Sequence, residues 1–247
     1  VPITPGAASS LRYTAWEWKT RSLAESLAEK AGFSVGYIHM RAMDRDGEDA
    51  FARGFFPAFD KDALIIDVRH NKGGNIDSWI LTALQRRAWM YWAGRGNDRF
   101  GNMDWTEQNA FRGKIAVLVD EHTSSNGEGV ARGISELGLG TLIGKRTWGG
   151  GIWGSSVNHL VDGGIAAAPQ WGIFNDRFGW GGGIEATGVE PDIEVDNEPR
   201  VTFNGNDAQV ERAIAELKEL LRKDSVPRFQ PPPERPDMSL HDEECAA

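Results

Sequence analysis

A layered α/β fold of repeated strand–loop–helix units is what the sequence predicts, and two segments carry the prediction. Ala63-Leu64-Ile65-Ile66-Asp67-Val68 is almost wholly apolar, as a strand covered on both faces of a parallel sheet must be. It runs into the polar, glycine-containing stretch 69–75 and then a helix from Ile76 to Arg87. Lys114-Ile115-Ala116-Val117-Leu118-Val119 repeats the pattern: apolar strand, polar turn, helix to about Leu137. Folds of this kind carry their sites in the loops beyond the strand ends.

The other elements follow in order. Residues 1–10, rich in Pro, Gly and Ser, read as a linker or arm, and Tyr13 to Lys30 as a helix that Gly32 ends. Val35 to Met40 is a short strand, and the turn Asp44-Arg45-Asp46-Gly47 precedes a helix through Phe51 and Phe55. Residues 147–183 are glycine-rich and β-like. Ile193-Glu194-Val195 is strand-like, and Val210, Ile214, Leu217 and Leu221 share one face of a helix from Ala208 to Leu221. Beyond Asp224 the prolines and acidic residues predict a disordered or draped tail. The expected organisation is a linker and helix over 1–32, one large domain over 33–222, and the tail over 223–247.

Composition narrows the function. Apolar and charged fractions of 40% and 26% are those of a globular protein. A net charge of −9 with no basic block argues against nucleic-acid binding. No run is long enough for a membrane-spanning helix, and no signal-peptide pattern opens the chain. The single Cys245 excludes an intramolecular disulfide. Val1-Pro2 in place of an initiator Met reads as a fragment or a processed product.

The chemistry centres on Val119-Asp120-Glu121-His122-Thr123-Ser124-Ser125-Asn126-Gly127-Glu128. A serine at the turn between a strand and a helix is lifted clear of the sheet, beside N–H groups that favour negative charge. The same residues are also good N-cap chemistry, so the turn alone leaves both readings open.

Five segments in order resemble the tail-specific (S41) serine peptidase family, and its tricorn-like branch in particular. They are Gly36-Tyr37-Ile38-His39, the run from Leu64 to Gly74, Ser125-Asn126-Gly127-Glu128, the run from Leu142 to Gly150, and the run from Gly183 to Asp192. The resemblance implies a ClpP/crotonase-like α/β core with Ser125 as nucleophile. It implies an oxyanion hole from the Gly74 and Asn126 N–H groups, with Gly73 in the substrate-facing loop, and an orienting carboxylate at Glu185. The lysine of the family's Ser–Lys members falls at Gly150, so the relay expected is Ser–His. The base histidine and a PDZ segment are expected from preceding sequence. Among the five histidines, His39 reads as structural, while His70 and His122 are the two that could approach Ser125. Trp92 falls near an acidic specificity position of the branch, and its indole implies apolar or aromatic substrate side chains. The expected substrates are oligopeptides or unfolded proteins, cut by a homo-oligomer in the cytoplasm (the periplasm is the alternative) with no metal or cofactor. A non-catalytic peptide-binding or scaffold module and a crotonase-like acyl-CoA enzyme are the rival readings.

Overall fold

A computed structural model describes residues 7–93, 103–104, 109–155 and 158–226 of the chain. Its centre is a parallel sheet of five strands: β1 (Val35–His39), β2 (Ala63–Asp67), β5 (Lys114–Val119), β6 (Thr141–Gly144) and β11 (Ile193–Glu194), adjacent in that order. Between β2 and β5 lies a two-residue ladder, β3 (Trp92–Ala93) with β4 (Met103–Asp104). Between β6 and β11 an arm carries two antiparallel pairs, β7 (Ile152–Ser155) with β8 (Ala168–Gly172) and β9 (Phe174–Asn175) with β10 (Gly179–Trp180).

Strand alternation sorts the core into two layers. Leu64, Ile66, Ile115, Val117, Val119 and Leu142 face α2 (Arg45–Phe55), α3 (Asp77–Gln85) and α4 (Asn126–Glu136), where Phe51, Phe55, Ile80, Val130 and Ile134 are buried with them. Ala63, Ile65, Ala116, Leu118 and Ile143 face the other way, onto α1 (Ala8–Ala31) and α6 (Ala208–Lys223), through Ala24, Ala28, Val210, Ala213, Ile214 and Leu217. Both faces are covered, so the strands read as continuous apolar runs rather than alternating ones.

A buried polar network ties α6 to the sheet. The Arg69 guanidinium bonds both Asp67 oxygens, at 3.0 and 3.1 Å from Nε and 2.6 Å from Nη2. Its Nη1 reaches Asp207, the N-cap of α6, at 2.9 and 3.1 Å and Gln209 at 2.9 Å. The Tyr37 hydroxyl donates to Asp67 at 2.7 Å. Burial pushes the Asp67 carboxyl up, and the Arg69 charge outweighs it, so Asp67 lies below the usual carboxylate range.

Several boundaries differ from the sequence expectation. Helix α1 begins at Ala8, inside the stretch read as an arm, because the helix-opposing Pro2, Pro5 and Gly6 all precede Ala7. Helix α3 stops at Gln85, where Arg87 Nη1 turns back onto the Leu84 and Gln85 carbonyls. Asp44 to Gly47 is the first turn of α2 rather than a separate turn, with Asp44 accepting from Gly47 N–H at 3.0 Å. The five-residue α5 (Pro199–Phe203) has no counterpart in the sequence expectation; it is too short for a periodic signal. The tail from residue 227 on lies outside the described residues.

Candidate active site

Three loops meet at the carboxyl ends of β2, β5 and β6. Asn71, fully buried, joins the first two. Its Nδ2 donates to the Met40 carbonyl at 2.7 Å, its Oδ1 accepts from Gly73 N–H at 2.8 Å, and its carbonyl accepts from Ser124 N–H at 2.9 Å. Thr123 secures the second loop by donating to the Val68 carbonyl at 2.8 Å.

Ser125 stands where β5 turns into α4, at φ 54° and ψ −123°. A non-glycine residue in that region costs about 1–3 kcal/mol, held by its surroundings. Ser125 and Glu128 stand in a capping-box relation, in which the Glu128 N–H bonds the Ser125 carbonyl at 2.9 Å and the Ser125 N–H donates to the Glu128 carboxylate at 2.9 Å. Any bond the hydroxyl accepts from this helix start leaves its own proton free to be given up. Gly73 packs directly on the serine: a Cβ there would stand 2.5 Å from Ser125 Cβ and 2.9 Å from its Oγ.

The neighbouring backbone explains Gly74. Met43 N–H donates to the Gly73 carbonyl at 2.7 Å, and Asn75 N–H to the Met43 carbonyl at 2.6 Å. Strand alternation therefore turns Gly74's own N–H away from Met43, and it has no hydrogen-bond partner among the described residues. With φ at 147° and a Cβ position 1.9 Å from the Met43 oxygen, only glycine fits there. The Asn126 N–H, at the start of α4, is likewise unpartnered among the described residues. The Asn126 side chain acts elsewhere, its Oδ1 accepting from Ile76 and Asp77 N–H at 2.9 and 3.0 Å and so capping α3.

The carboxylate that holds the turn is Glu128, fully buried. One oxygen accepts from Ser125 N–H at 2.9 Å and Gly150 N–H at 2.8 Å. The other accepts from Thr147 Oγ1 at 2.6 Å and Gly149 N–H at 2.7 Å. The sequence places Glu128 in the serine motif without revealing this role, although serine followed three residues later by glutamate is the capping-box pattern. Glu185, the carboxylate singled out from sequence, sits on the far side of the same loop. It accepts from Gly151 and Ile152 N–H at 2.8 and 2.9 Å and shares no hydrogen bond with Ser125 among the described residues.

The histidines divide as follows. His39 is buried, with Nδ1 2.8 Å from Tyr13 Oη and Nε2 3.1 Å from the Arg69 carbonyl, and burial lowers its pKa. His70 and His122 stack with ring centres 4.8 Å apart, and His70 Nε2 lies 3.3 Å from Asp120 Oδ2. Neither is hydrogen-bonded to Ser125 among the described residues. His159 is exposed in the arm, and His241 lies outside the described residues. Lys145 is engaged by Glu194 and Asp196, which raise its pKa. The Trp92 backbone pairs with Asp104, while its side chain lies outside the described residues. Trp171, Phe174 and Trp180 of the arm are 70–79% exposed, which removes them from the core.

A strained serine on a strand-to-helix turn, with free N–H groups on its own helix and on a facing glycine loop, has the parts of a serine-nucleophile hydrolase site. Comparison with known proteins narrows that class. The model of peptidase family S41 matches residues 34–195, and the chain belongs to this family. It is 33% identical over 212 residues to the tricorn protease of Thermoplasma acidophilum, covering 86% of this chain and 19% of that protein. Tricorn protease homolog 1 of Streptomyces coelicolor is 34% identical over 205 residues, covering 83% of this chain and 18% of the relative. The crystal structure of the tricorn protease superposes with a TM-score of 0.73 at 32% identity, over 85% of this chain and 20% of that one. The chain thus spans about a fifth of the length of these relatives.

Proposed function

We propose that the chain supplies the nucleophile and oxyanion donors of a tricorn-like serine peptidase, with residues 33–222 as the catalytic domain. Ser125 Oγ attacks the carbonyl carbon of a peptide bond while a base takes its proton. The Gly74 and Asn126 N–H groups hold the oxyanion, and one such donor is worth about a hundredfold or more in rate. The C–N bond then breaks, the amine leaves with the proton, and water releases the acyl group from Ser125. Glu185 orients the relay. The base is a histidine from a preceding segment of the polypeptide, which also carries a PDZ segment. The substrates are oligopeptides or unfolded proteins, the assembly is a homo-oligomer, and Trp92 favours apolar side chains.

The observation that carries this reading is Ser125's strained φ of 54°, with Gly73 against its side chain. A plain helix cap has no use for that strain. The test is fluorophosphonate labelling of the full-length polypeptide, with the adduct located by mass spectrometry. Labelling at Ser125 that Ser125→Ala abolishes supports the peptidase. A folded protein that takes no label at Ser125 overturns it in favour of a binding module.

A further inference from the structure

The first strand of the sheet has an open side. Ala63 N–H bonds the Ser34 carbonyl at 3.0 Å and Met40 N–H bonds the Asp67 carbonyl at 3.0 Å, so in β1 the even-numbered residues face β2. Val35, Tyr37 and His39 therefore turn their N–H and C=O groups outward. At one end of this edge, Lys61 Nζ donates to the Val35 carbonyl at 2.8 Å. The outward main-chain groups of Tyr37 and His39 have no hydrogen-bond partner among the described residues, although the two residues are only 3% and 5% exposed. Main-chain groups in such surroundings are almost always paired.

A groove of about 1000 Å³ opens at the Ile38–His39 end of this edge. Ile38 and His39 line its floor, Tyr13 and Trp16 of α1 one wall, and Asp49 and Arg53 of α2 the other. The charges on its walls are largely neutralised within each helix, Glu17 with Arg21 and Asp49 with Arg53. The far end of the groove is lined by His70 and Lys72, in the loop whose next residue, Gly73, touches Ser125.

We infer that this groove holds an extended stretch of unfolded polypeptide, added as a sixth strand on the outer edge of β1. Free main-chain donors and acceptors call for another main chain, and walls without a dominant charge leave the side chains largely unselected. The occupant is the peptidase's own substrate, held beside the loop that leads to Ser125. That choice of occupant rests on the peptidase reading; the strand-binding edge does not.

The probe is a fluorescein-labelled octapeptide of alternating Val and Thr, titrated by anisotropy into the full-length Ser125→Ala protein, so that binding is read without turnover. N-methylation of alternate peptide nitrogens should weaken binding about 3- to 10-fold per methyl on the face towards β1 and leave the other face unchanged. Bound peptide should slow hydrogen exchange at the Tyr37 and His39 amides. Asp49→Trp, at a solvent-exposed wall position, should abolish both effects while leaving fluorophosphonate labelling of Ser125 in the otherwise wild-type protein unchanged. Binding insensitive to Asp49→Trp, no alternation in the methyl series, or Tyr37 and His39 amides protected equally without peptide would each overturn the proposal. Failure of labelling with intact groove binding would instead overturn the peptidase reading alone.

Discussion

Replacing Glu128 by Gln should loosen the tie between the nucleophile turn and the loop after β6. The two carboxylate oxygens receive donors in pairs, Ser125 and Gly150 N–H on one, Thr147 hydroxyl and Gly149 N–H on the other. A glutamine amide keeps one oxygen and turns its NH₂ towards the other pair, whichever way it is placed. With the NH₂ turned towards Thr147 and Gly149, the Thr147 hydroxyl can accept from it, so one hydrogen bond to a carboxylate is lost outright, worth about 1.5–3 kcal/mol, and the amide is left facing the Gly149 N–H. That is a large fraction of a domain's stability of about 5–15 kcal/mol. Urea unfolding should show the midpoint falling with an unchanged slope. In conditions where the variant is folded, fluorophosphonate should label Ser125 more slowly, because the Ser125 N–H that helps fix the φ of 54° then meets a neutral amide oxygen in place of a carboxylate. A variant within about 0.5 kcal/mol of wild type (the spread of neutral surface substitutions) and labelled at the same rate would refute the reasoning.

Gly73→Ala should slow labelling at Ser125 and destabilise the fold, because the added methyl meets the serine at 2.5 Å and φ is 80°; unchanged kinetics in a labelling time course would contradict the packing. Arg69→Met should cost about 3–5 kcal/mol in urea unfolding, because it leaves Asp67 buried without its cation. Burial lowers the His39 pKa in the fold, so its contribution to stability is fully present above its unfolded value of about 6.5 and is lost as pH falls below it. Urea midpoints between pH 7 and 5 should therefore fall less steeply in His39→Gln than in wild type. Burial and Glu17 push the Tyr13 hydroxyl up to about 12, so its contribution is present below an unfolded value of about 10 and lost as pH rises towards 12. The alkaline loss should be smaller in Tyr13→Phe.

What sequence could and could not convey follows from the range of the forces involved. The apolar runs at Ala63–Asp67 and Lys114–Val119 are legible because burial on both faces leaves no polar position to interrupt them. Gly74 and Ser125 are legible because a special backbone conformation restricts the residue type locally, and the order of the motifs adds the rest. The Glu128 tie to Gly149 and Gly150, twenty-one and twenty-two residues away, is a tertiary fact with only its capping-box half written locally. Arg69 reads in sequence as one more charge in a polar loop. Its partner Asp207 is 138 residues distant, and no period links them. The arm aromatics are ambiguous in sequence for a related reason: a tryptophan's composition is the same whether a core or a partner covers it, and only the fold reveals which side it faces.

The arm leaves the sheet from β6 at Gly144 and returns in β11, where Glu194 pairs with that same Gly144. Its two ends are thus held one strand spacing apart, about 4.8 Å, whatever lies between them. Closing a loop between fixed ends grows harder only slowly with length, by about 0.6 kcal/mol for each doubling. The arm's exposed tryptophans, Trp171 and Trp180, can therefore be exchanged with little consequence for the five-stranded core, whereas Ile173, packed against that core, cannot. The arm thus hangs from two adjacent strands, while Ser125, Asn71 and Glu128 are bound into one knot of loops.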